Sequence, residues 1–495
     1  MTKKEATTFT PSRYQQAIYD HVASPDSVRH AVASALAGSG KTSTAIQALN
    51  YIPSDLSIIF CAFGKSTADH IRPLAPSHTD VSTFHSAGFK AYRRAHRMVR
   101  LDVDKVSKLV FPFMESSYLD KKQQKIVQLL AVRLVSLIKA TLTDHTDRQS
   151  VIDMIDDYDI DLNSYQEYIL ELLPKLMKRD VDTRDIDFDD MIYRVITEDL
   201  PVDQYDWIMI DELQDTNRAQ SALLYRMAAN GRVLGIGDQR QSIYRFRGAD
   251  ADSMPNFVQH FDAITLPLNI TYRCPLSHVR LAQQIVPELE PWEHAKDGSI
   301  SYMTTDEMIA CGILAPGTLA LCRTNAPLIH HAYSLLRSGI PALVRGRDIG
   351  QGVIALINKL AKHEDTTVQL LDKLHKYKVA ELEKLEARNA PASRVNSLID
   401  KVGTVENLSE GCNTVADVTK VVETLFSDSD DSSYVVFSTV HKAKGLEADT
   451  VVILEPQLMP LKTKSAKDAQ QEQNIIYVAQ TRSKGVMVFE QKGVS

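Results

Sequence analysis

The stretch HAVASALAGSGKTSTAI, residues 30–46, reads as an apolar strand, a glycine turn and then a helix, and it decides the fold class. Its centre, Ala37-Gly38-Ser39-Gly40-Lys41-Thr42, has the tail of a phosphate-binding loop. Glycines there let successive backbone N–H groups curl round an anion at a helix N-terminus. Lys41 would reach the β- and γ-phosphates and Thr42 would ligate Mg²⁺. Ala35 stands where the full pattern has its first glycine, so an acidic partner elsewhere must complete the site.

Asp211-Glu212 supplies that partner, because it directly follows the apolar run Trp207-Ile208-Met209-Ile210. Asp211 can hold Mg²⁺ through water and Glu212 can polarise an attacking water, so the two halves together point to Mg²⁺-dependent nucleoside triphosphate hydrolysis. Two carboxylates at a strand end are on their own an ordinary solvated turn; the pairing with Lys41 and Thr42 overrules that.

Working outward, residues 9–22 read as a short helix with Thr10 as N-cap and Pro11 at its first position. Residues 56–63 read as a buried strand ending at Phe63-Gly64-Lys65, and 81–86 as a strand leading into a loop. From about Arg93 to Asp182 the texture becomes helical: residues 121–141 place Val127, Leu130, Leu134, Leu137 and Ile138 on one face. Sheet then resumes at residues 207–210 and 233–236. A second α/β unit follows about Thr265, with strands at 318–322, 435–438 and 450–454 around a charged helical stretch, 350–433, that ends in the solvated linker SDSDDSS. The expected fold class is therefore α/β, with parallel sheets interrupted by mainly helical insertions.

Composition sets limits on these readings. The chain has 495 residues, 44% of them hydrophobic and 24% charged, with no apolar run long enough for a membrane span. The N-terminal MTKKEATTFTPS lacks a signal-peptide core, and five cysteines without a C-x-x-C pair fit a reducing cytoplasm rather than a disulfide or zinc framework. A net charge of −7 gives no global attraction to nucleic acid, so DNA binding has to rest on a local basic and aromatic groove.

The wider set of motifs resembles that of the UvrD/Rep-type superfamily 1 helicases, in a compact phage- or bacterial-type form. The residues that carry the resemblance are AGSGKT at 37–42, TFHS at 83–86, DFDDMI at 187–192, DELQDTN at 211–217, GDQRQSIYRFRGA at 237–249, TYRCP at 271–275, HKAKGLE at 441–447 and YVAQTRSK at 477–484. Glu472-Gln473-Asn474 departs from the family, which often has a basic pair there, and the second insertion is shorter than in the larger relatives.

The resemblance implies two RecA-like motor domains. The first comprises 1–92 and 183–265 around a helical insertion at 93–182; the second comprises 266–349 and 434–495 around a reduced insertion at 350–433. It further implies that Gln15, or alternatively Gln16, reads the adenine edge; that Gln241 senses the γ-phosphate; that Arg273 and Arg482 reach it from the second motor domain; that Tyr272 stacks on the base; and that Glu447 touches the nucleotide. On the DNA side it implies Phe63, Tyr244 and Phe246 as base platforms, the last commonly Trp in the family. Lys65, His85, Arg247 and His441 would lie near phosphates and sugars, with Thr324, Asn325 and Thr439 as backbone contacts.

The implied activity is an ATP- and Mg²⁺-dependent DNA helicase and single-stranded DNA translocase of 3′-to-5′ polarity. Its implied partners are single strands, single/double-strand junctions and replication or repair proteins, with no membrane. Two rivals stand beside it: a DNA-stimulated ATPase that remodels protein–DNA complexes without unwinding duplex, and a small-substrate kinase or GTPase.

Overall fold

A computed structural model of the chain describes residues 10–25, 30–96, 98–158, 160, 162–244, 248–250, 252–387, 392–427, 432–463 and 466–491. It divides into two compact units, Met1–Asn269 and Ile270–Ser495.

The first unit is built on a six-stranded parallel sheet in the order Thr79–Thr83, Ile58–Ala62, Trp207–Ile210, Arg232–Gly237, His30–Ala35, Ile264–Leu268. Its inner strands Ile58–Ala62 and Trp207–Ile210 are continuous apolar runs, buried throughout because both faces are covered, whereas the edge strands Thr79–Thr83 and Ile264–Leu268 are only partly buried. Alternation along each strand divides the side chains between two cores. Ile58, Phe60, Trp207, Met209 and Leu234 pack with Ile18 and Leu49 from helices Arg13–Ala23 and Lys41–Leu49. Ile59, Cys61, Ile208, Ile210 and Val233 pack on the opposite face with Tyr92, Val195, Leu223 and Phe257.

Between strand Thr79–Thr83 and strand Trp207–Ile210 the chain makes helices Phe84–Ala95, Lys105–Glu115, Lys121–Thr141, Arg148–Asp157 and Gln166–Asp182. Val127, Leu134, Leu137 and Ile138 of the expected stripe are buried in a separate core with Val110, Leu173 and Met177. This helical block is fastened by a buried charge cluster. Lys139 lies 2.8 Å from Asp187, 2.8 Å from Asp190 and 3.0 Å from Asp180, and Lys105 lies 2.5 Å from Asp190 and 3.0 Å from Asp180. Asp187 and Asp190 belong to DFDDMI, so that motif is a clasp between the helices and the start of helix Asp190–Thr197.

The second unit carries a seven-stranded parallel sheet in the order Ser299–Met303, Ser483–Glu490, Ala448–Ile453, Leu319–Cys322, Val435–Thr439, Ala342–Arg345, Phe426–Ser427. Helices Arg347–Leu360, Thr367–Glu386, Ala392–Leu408 and Val415–Leu425 leave it after Ala342–Arg345. Unlike those of the first block, their buried side chains among the described residues share the core of the sheet: Leu370, Leu374, Val402 and Val405 join Ala320, Val344 and Phe437 in one cluster.

Several local expectations change. The first helix is capped by Ser12, not Thr10, in a reciprocal capping box with Gln15. The strand expected over 56–63 is shorter, Ile58–Ala62. TFHS opens a helix rather than a loop: Thr83 accepts from the Ser86 amide at 3.1 Å and Phe84–Ala95 follows at once. Phe9 and most of the SDSDDSS linker lie outside the described residues. Among the described residues no helix is long and apolar enough to cross a membrane.

Candidate functional site

The nucleotide candidates of the first unit gather at the carboxyl edge of its parallel sheet, where α/β folds place ligands. Strand His30–Ala35 leads into the phosphate loop and Trp207–Ile210 into Asp211 and Glu212. The strand between them, Arg232–Gly237, leads into Asp238 and Gln241. Gly38 and Gly40 have φ of 72° and 78°, left-handed values that glycine adopts without steric cost. Gly40 is also the N-cap of helix Lys41–Leu49, so no side chain separates the loop amides from an anion. Ser39 is fully buried and its Oγ has no hydrogen-bond partner among the described residues, an arrangement that a ligand oxygen would satisfy.

Lys41 Nζ lies 3.2 Å from Glu212 Oε1 and 3.3 Å from Oε2, while Thr42 Oγ1 donates to Asp211 Oδ2 at 2.8 Å. Burial disfavours the charged ammonium of Lys41, but the carboxylates of Glu212, Asp238 and Asp211 outweigh it and raise its pKa. Burial and the neighbouring Glu212 push Asp211 up to about 6 against the pull of Lys41. Asp238 is likewise raised by burial, opposed by Lys41 and Gln241. Glu212 sits at φ 56°, an uncommon conformation for a non-glycine residue and one that strained functional turns use.

Gln241 is buried and donates to Asp238 Oδ2 at 2.6 Å. Gln214, which the sequence did not single out, is fully buried between the two acids: its amide nitrogen donates to Glu212 and its oxygen accepts from the Asp238 amide at 2.9 Å. Gln15 is buried against the same helix and donates to Thr44 Oγ1 at 3.1 Å, whereas Gln16 is turned to Asp20 at 2.7 Å.

The second unit brings together Arg273, Arg482, Glu447 and Thr481. Arg273 donates through Nε to Glu447 Oε2 at 2.6 Å and through Nη1 to the Thr481 carbonyl at 3.2 Å. Burial works against the charge of Glu447, but Arg273 and then Lys484 hold its pKa below the usual range. Arg482 is only 1% exposed and donates to the Val478 carbonyl at 2.9 Å, the Leu446 carbonyl at 3.3 Å and Thr481 Oγ1 at 3.1 Å. Tyr272 is half-exposed beside Trp292.

The strand-binding candidates of the first unit occupy the other flank of the same carboxyl edge. Phe63 is exposed at the end of Ile58–Ala62, Lys65 is exposed at the start of helix Lys65–Ile71, and His85 is half-buried at the start of helix Phe84–Ala95, its pKa lowered by burial. Tyr244 is half-buried; Phe246 and Arg247 lie outside the described residues. Phe188 of DFDDMI is an exposed aromatic that the sequence reading passed over, since an aromatic between acids gives no sign of which way it faces.

In the second unit Thr439 ends strand Val435–Thr439 nearly buried, and His441 follows half-buried. Asn325 is committed elsewhere: its amide and its side-chain nitrogen donate to Asp400 Oδ2 at 3.0 and 2.9 Å, and the Ala326 amide donates to Oδ1 at 2.5 Å. Thr324 is the N-cap residue of helix Asn325–Arg337. Glu472, part of the stretch that departs from the family, is buried against Arg323, with a shortest contact of 2.6 Å.

Comparison with known proteins agrees with this geometry. The family model described as the UvrD/REP helicase N-terminal domain matches residues 15–262, and that of the UvrD-like helicase C-terminal domain matches 434–488. The ATP-dependent DNA helicase PcrA of Bacillus subtilis (strain 168) is 26% identical over 356 residues, which are 61% of this chain and 46% of that protein. PcrA of Leuconostoc citreum is 25% identical over 303 residues, 54% of this chain and 39% of that protein. A probable DNA helicase II homolog of Mycoplasma capricolum is 31% identical over 119 residues, 22% of this chain and 16% of that protein. The chain thus spans less than half the length of these curated relatives. With one model covering half of the chain, a second near its end and the P-loop geometry in place, the chain belongs to the UvrD/REP helicase family.

Proposed function

We propose that this protein is an ATP-dependent DNA helicase and single-stranded DNA translocase. One observation carries the reading: Lys41, Thr42, Asp211 and Glu212 share a sheet edge with Phe63, Lys65 and His85 on neighbouring strands, so a change at the phosphates has a short path to a strand-binding surface.

The residues present fit a nucleoside triphosphate with Mg²⁺. Ala37 to Thr42 would cradle the phosphates, with Ser39 Oγ gaining a partner, and Thr42 and Asp211 would hold the metal directly or through water. Mg²⁺ when bound draws negative charge from the phosphates. Lys41, paired with Glu212 here, would exchange that carboxylate for phosphate oxygens. Glu212 would then be free to orient and deprotonate water, held in place by Gln214. Gln241, anchored on Asp238, would respond to the γ-phosphate, and Arg273 and Arg482 would neutralise charge developing on it. Gln15 and Glu447 would border the nucleotide and Tyr272 its base.

In the same reading the motor domains are 1–92 with 183–269 and 270–349 with 434–495, carrying insertions at 93–182 and 350–433; the division expected at 265/266 moves to 269/270 because strand Ile264–Leu268 pairs with His30–Ala35 in the first sheet. Phe63, Tyr244 and Phe246 stack bases, with Lys65, His85, Arg247, Asn325, Thr439 and His441 along the strand. The setting is the reducing cytoplasm of a bacterium or phage-infected cell, with replication or repair proteins as partners.

The test is ATP turnover with and without single-stranded DNA, beside a strand-separation gel on otherwise identical duplexes with a 3′ or a 5′ tail. DNA-stimulated turnover with unwinding of the 3′-tailed substrate is expected. Stimulation without unwinding would favour the remodelling ATPase, turnover indifferent to DNA would end the motor reading, and unwinding of the 5′-tailed substrate alone would reverse the polarity.

A further inference from the structure

We propose that Trp292 is a nucleotide-binding residue that forms, with Tyr272, a two-walled aromatic corner for the base; the proposal rests on the reading of Tyr272 as the base-facing residue. The chain has two tryptophans. Trp207 is buried in the central strand of the first unit, whereas Trp292 is 39% exposed, as is Tyr272. Strand Glu290–Pro291 pairs in parallel with Ile270–Thr271, Glu290 opposite Ile270 and Pro291 opposite Thr271, and the Trp292 amide donates to the Thr271 carbonyl at 3.2 Å. The register therefore carries Trp292 to the place opposite Tyr272.

The two rings stand 6.0 Å apart at 55°, an open corner rather than a closed stack, and His294 meets Trp292 edge-on at 5.0 Å. The segment is pinned at its other end as well: the Ala295 amide donates to the Trp292 carbonyl at 2.9 Å and the Leu276 amide to the Lys296 carbonyl at 3.0 Å. Two large aromatic surfaces left half in water, side by side and held by backbone pairing, are shaped to receive a flat ring. Tyr272 directly precedes Arg273, the residue assigned to the phosphate end, so the flat ring that fits is the base of the same nucleotide. A corner of this kind selects by stacking area and not by hydrogen-bonding edge, so it favours purines over pyrimidines and separates adenine from guanine poorly.

The test uses the full-length protein with ADP and with inorganic tripolyphosphate, which has phosphates but no base. In the unsubstituted protein ADP should quench the fluorescence of the exposed tryptophan and tripolyphosphate should not; absence of an ADP-specific change overturns the proposal. Trp292→Ala should weaken ADP binding about five- to twentyfold, by analogy with lost base stacking, leave tripolyphosphate binding unchanged and leave the melting temperature near that of the parent. Trp292→Phe should restore most of the affinity while abolishing the fluorescence response. Equal weakening toward both ligands would make Trp292 a structural residue and refute the idea. Tyr272→Ala separates the two levels: loss of ADP affinity in Tyr272→Ala but not in Trp292→Ala refutes this proposal alone, whereas loss in neither refutes the assignment of Tyr272 as well.

Discussion

Replacing Lys139 by methionine tests whether the buried charge cluster is a clasp. The ammonium is fully buried with three carboxylates at 2.8, 2.8 and 3.0 Å, and Lys105 is the other cation of the cluster. Methionine keeps most of the stem volume, so the loss is one of charge and not of packing. Three carboxylates would then face one ammonium in an apolar surrounding, and breaking a buried ion pair of this kind costs about 3–5 kcal/mol.

The pH dependence follows from the directions of the shifts. In the parent protein burial works against Asp190, yet Lys139 and Lys105 hold its pKa below the ordinary value, while burial raises Asp180 despite them. Without Lys139, burial is opposed only by Lys105, so Asp190 should rise above its unfolded value of about 3.9 and Asp180, already raised, should rise further. A carboxyl raised in the folded state binds more protons there than in the unfolded chain, so its relative stabilisation is full below that value and is lost as pH climbs through the raised one. The melting gap between parent and Lys139→Met should therefore be wider at pH 8 than at pH 5, on the order of 10 °C for the first unit at the higher pH. A gap worth less than about 1 kcal/mol, or one equal at both pH values, would refute this account. Unchanged melting together with lost DNA-stimulated turnover would make the cluster a working part and not a clasp.

Lys41→Ala should reduce ATP turnover at least tenfold, as expected for a lost transition-state charge partner, with single-stranded DNA binding retained in a mobility-shift assay. Arg273→Ala and Arg482→Ala should both depress kcat more than they raise KM, yet differ in melting. Arg482 is buried and satisfies two carbonyls and a hydroxyl, so its loss also costs about 1–3 kcal/mol of stability; Arg273, partly exposed and paired with Glu447, should cost under about 1 kcal/mol, and the reverse order would contradict the geometry. Asp400→Ala should destabilise the second unit by about 1 kcal/mol, as for a lost helix cap; unchanged melting would mean that Asp400 does not serve helix Asn325–Arg337.

The parts of this molecule that were legible in its sequence are those whose cause is local. Residues 207–210 announce a doubly covered strand because all four side chains are apolar and all four are buried. Helix Lys121–Thr141 follows from its stripe, and the phosphate loop from glycines that the turn itself requires. Legibility fails where the cause lies at long range. Helix Phe84–Ala95, whose start reads in the sequence as a loop, buries Phe84, Gly88, Ala91 and Tyr92 at helical spacing although Gly88 argues against a helix when read locally. Its reason is tertiary: a Cβ there would stand 2.2 Å from the Met191 carbonyl oxygen, so packing against helix Asp190–Thr197 demands the glycine. The aspartates of DFDDMI look like surface acids until Lys105 and Lys139 arrive from distant helices.

Asn325 shows the same limit in the candidate site. The family resemblance implies a DNA backbone contact at Asn325, but the anion that its amide and side chain hold in the structure is Asp400 of helix Ala392–Leu408. That helix shares its apolar core with the sheet, through Val402 and Val405 beside Ala320 and Phe437, so Asp400 is not free to leave without exposing buried surface. A phosphate could reach the Asn325 and Ala326 amides only by displacing a carboxylate held by three hydrogen bonds and backed by that core. Among the proposed DNA contacts Asn325 therefore carries the highest cost, and Phe63 and Lys65, already exposed at the sheet edge beside the nucleotide residues, carry the lowest.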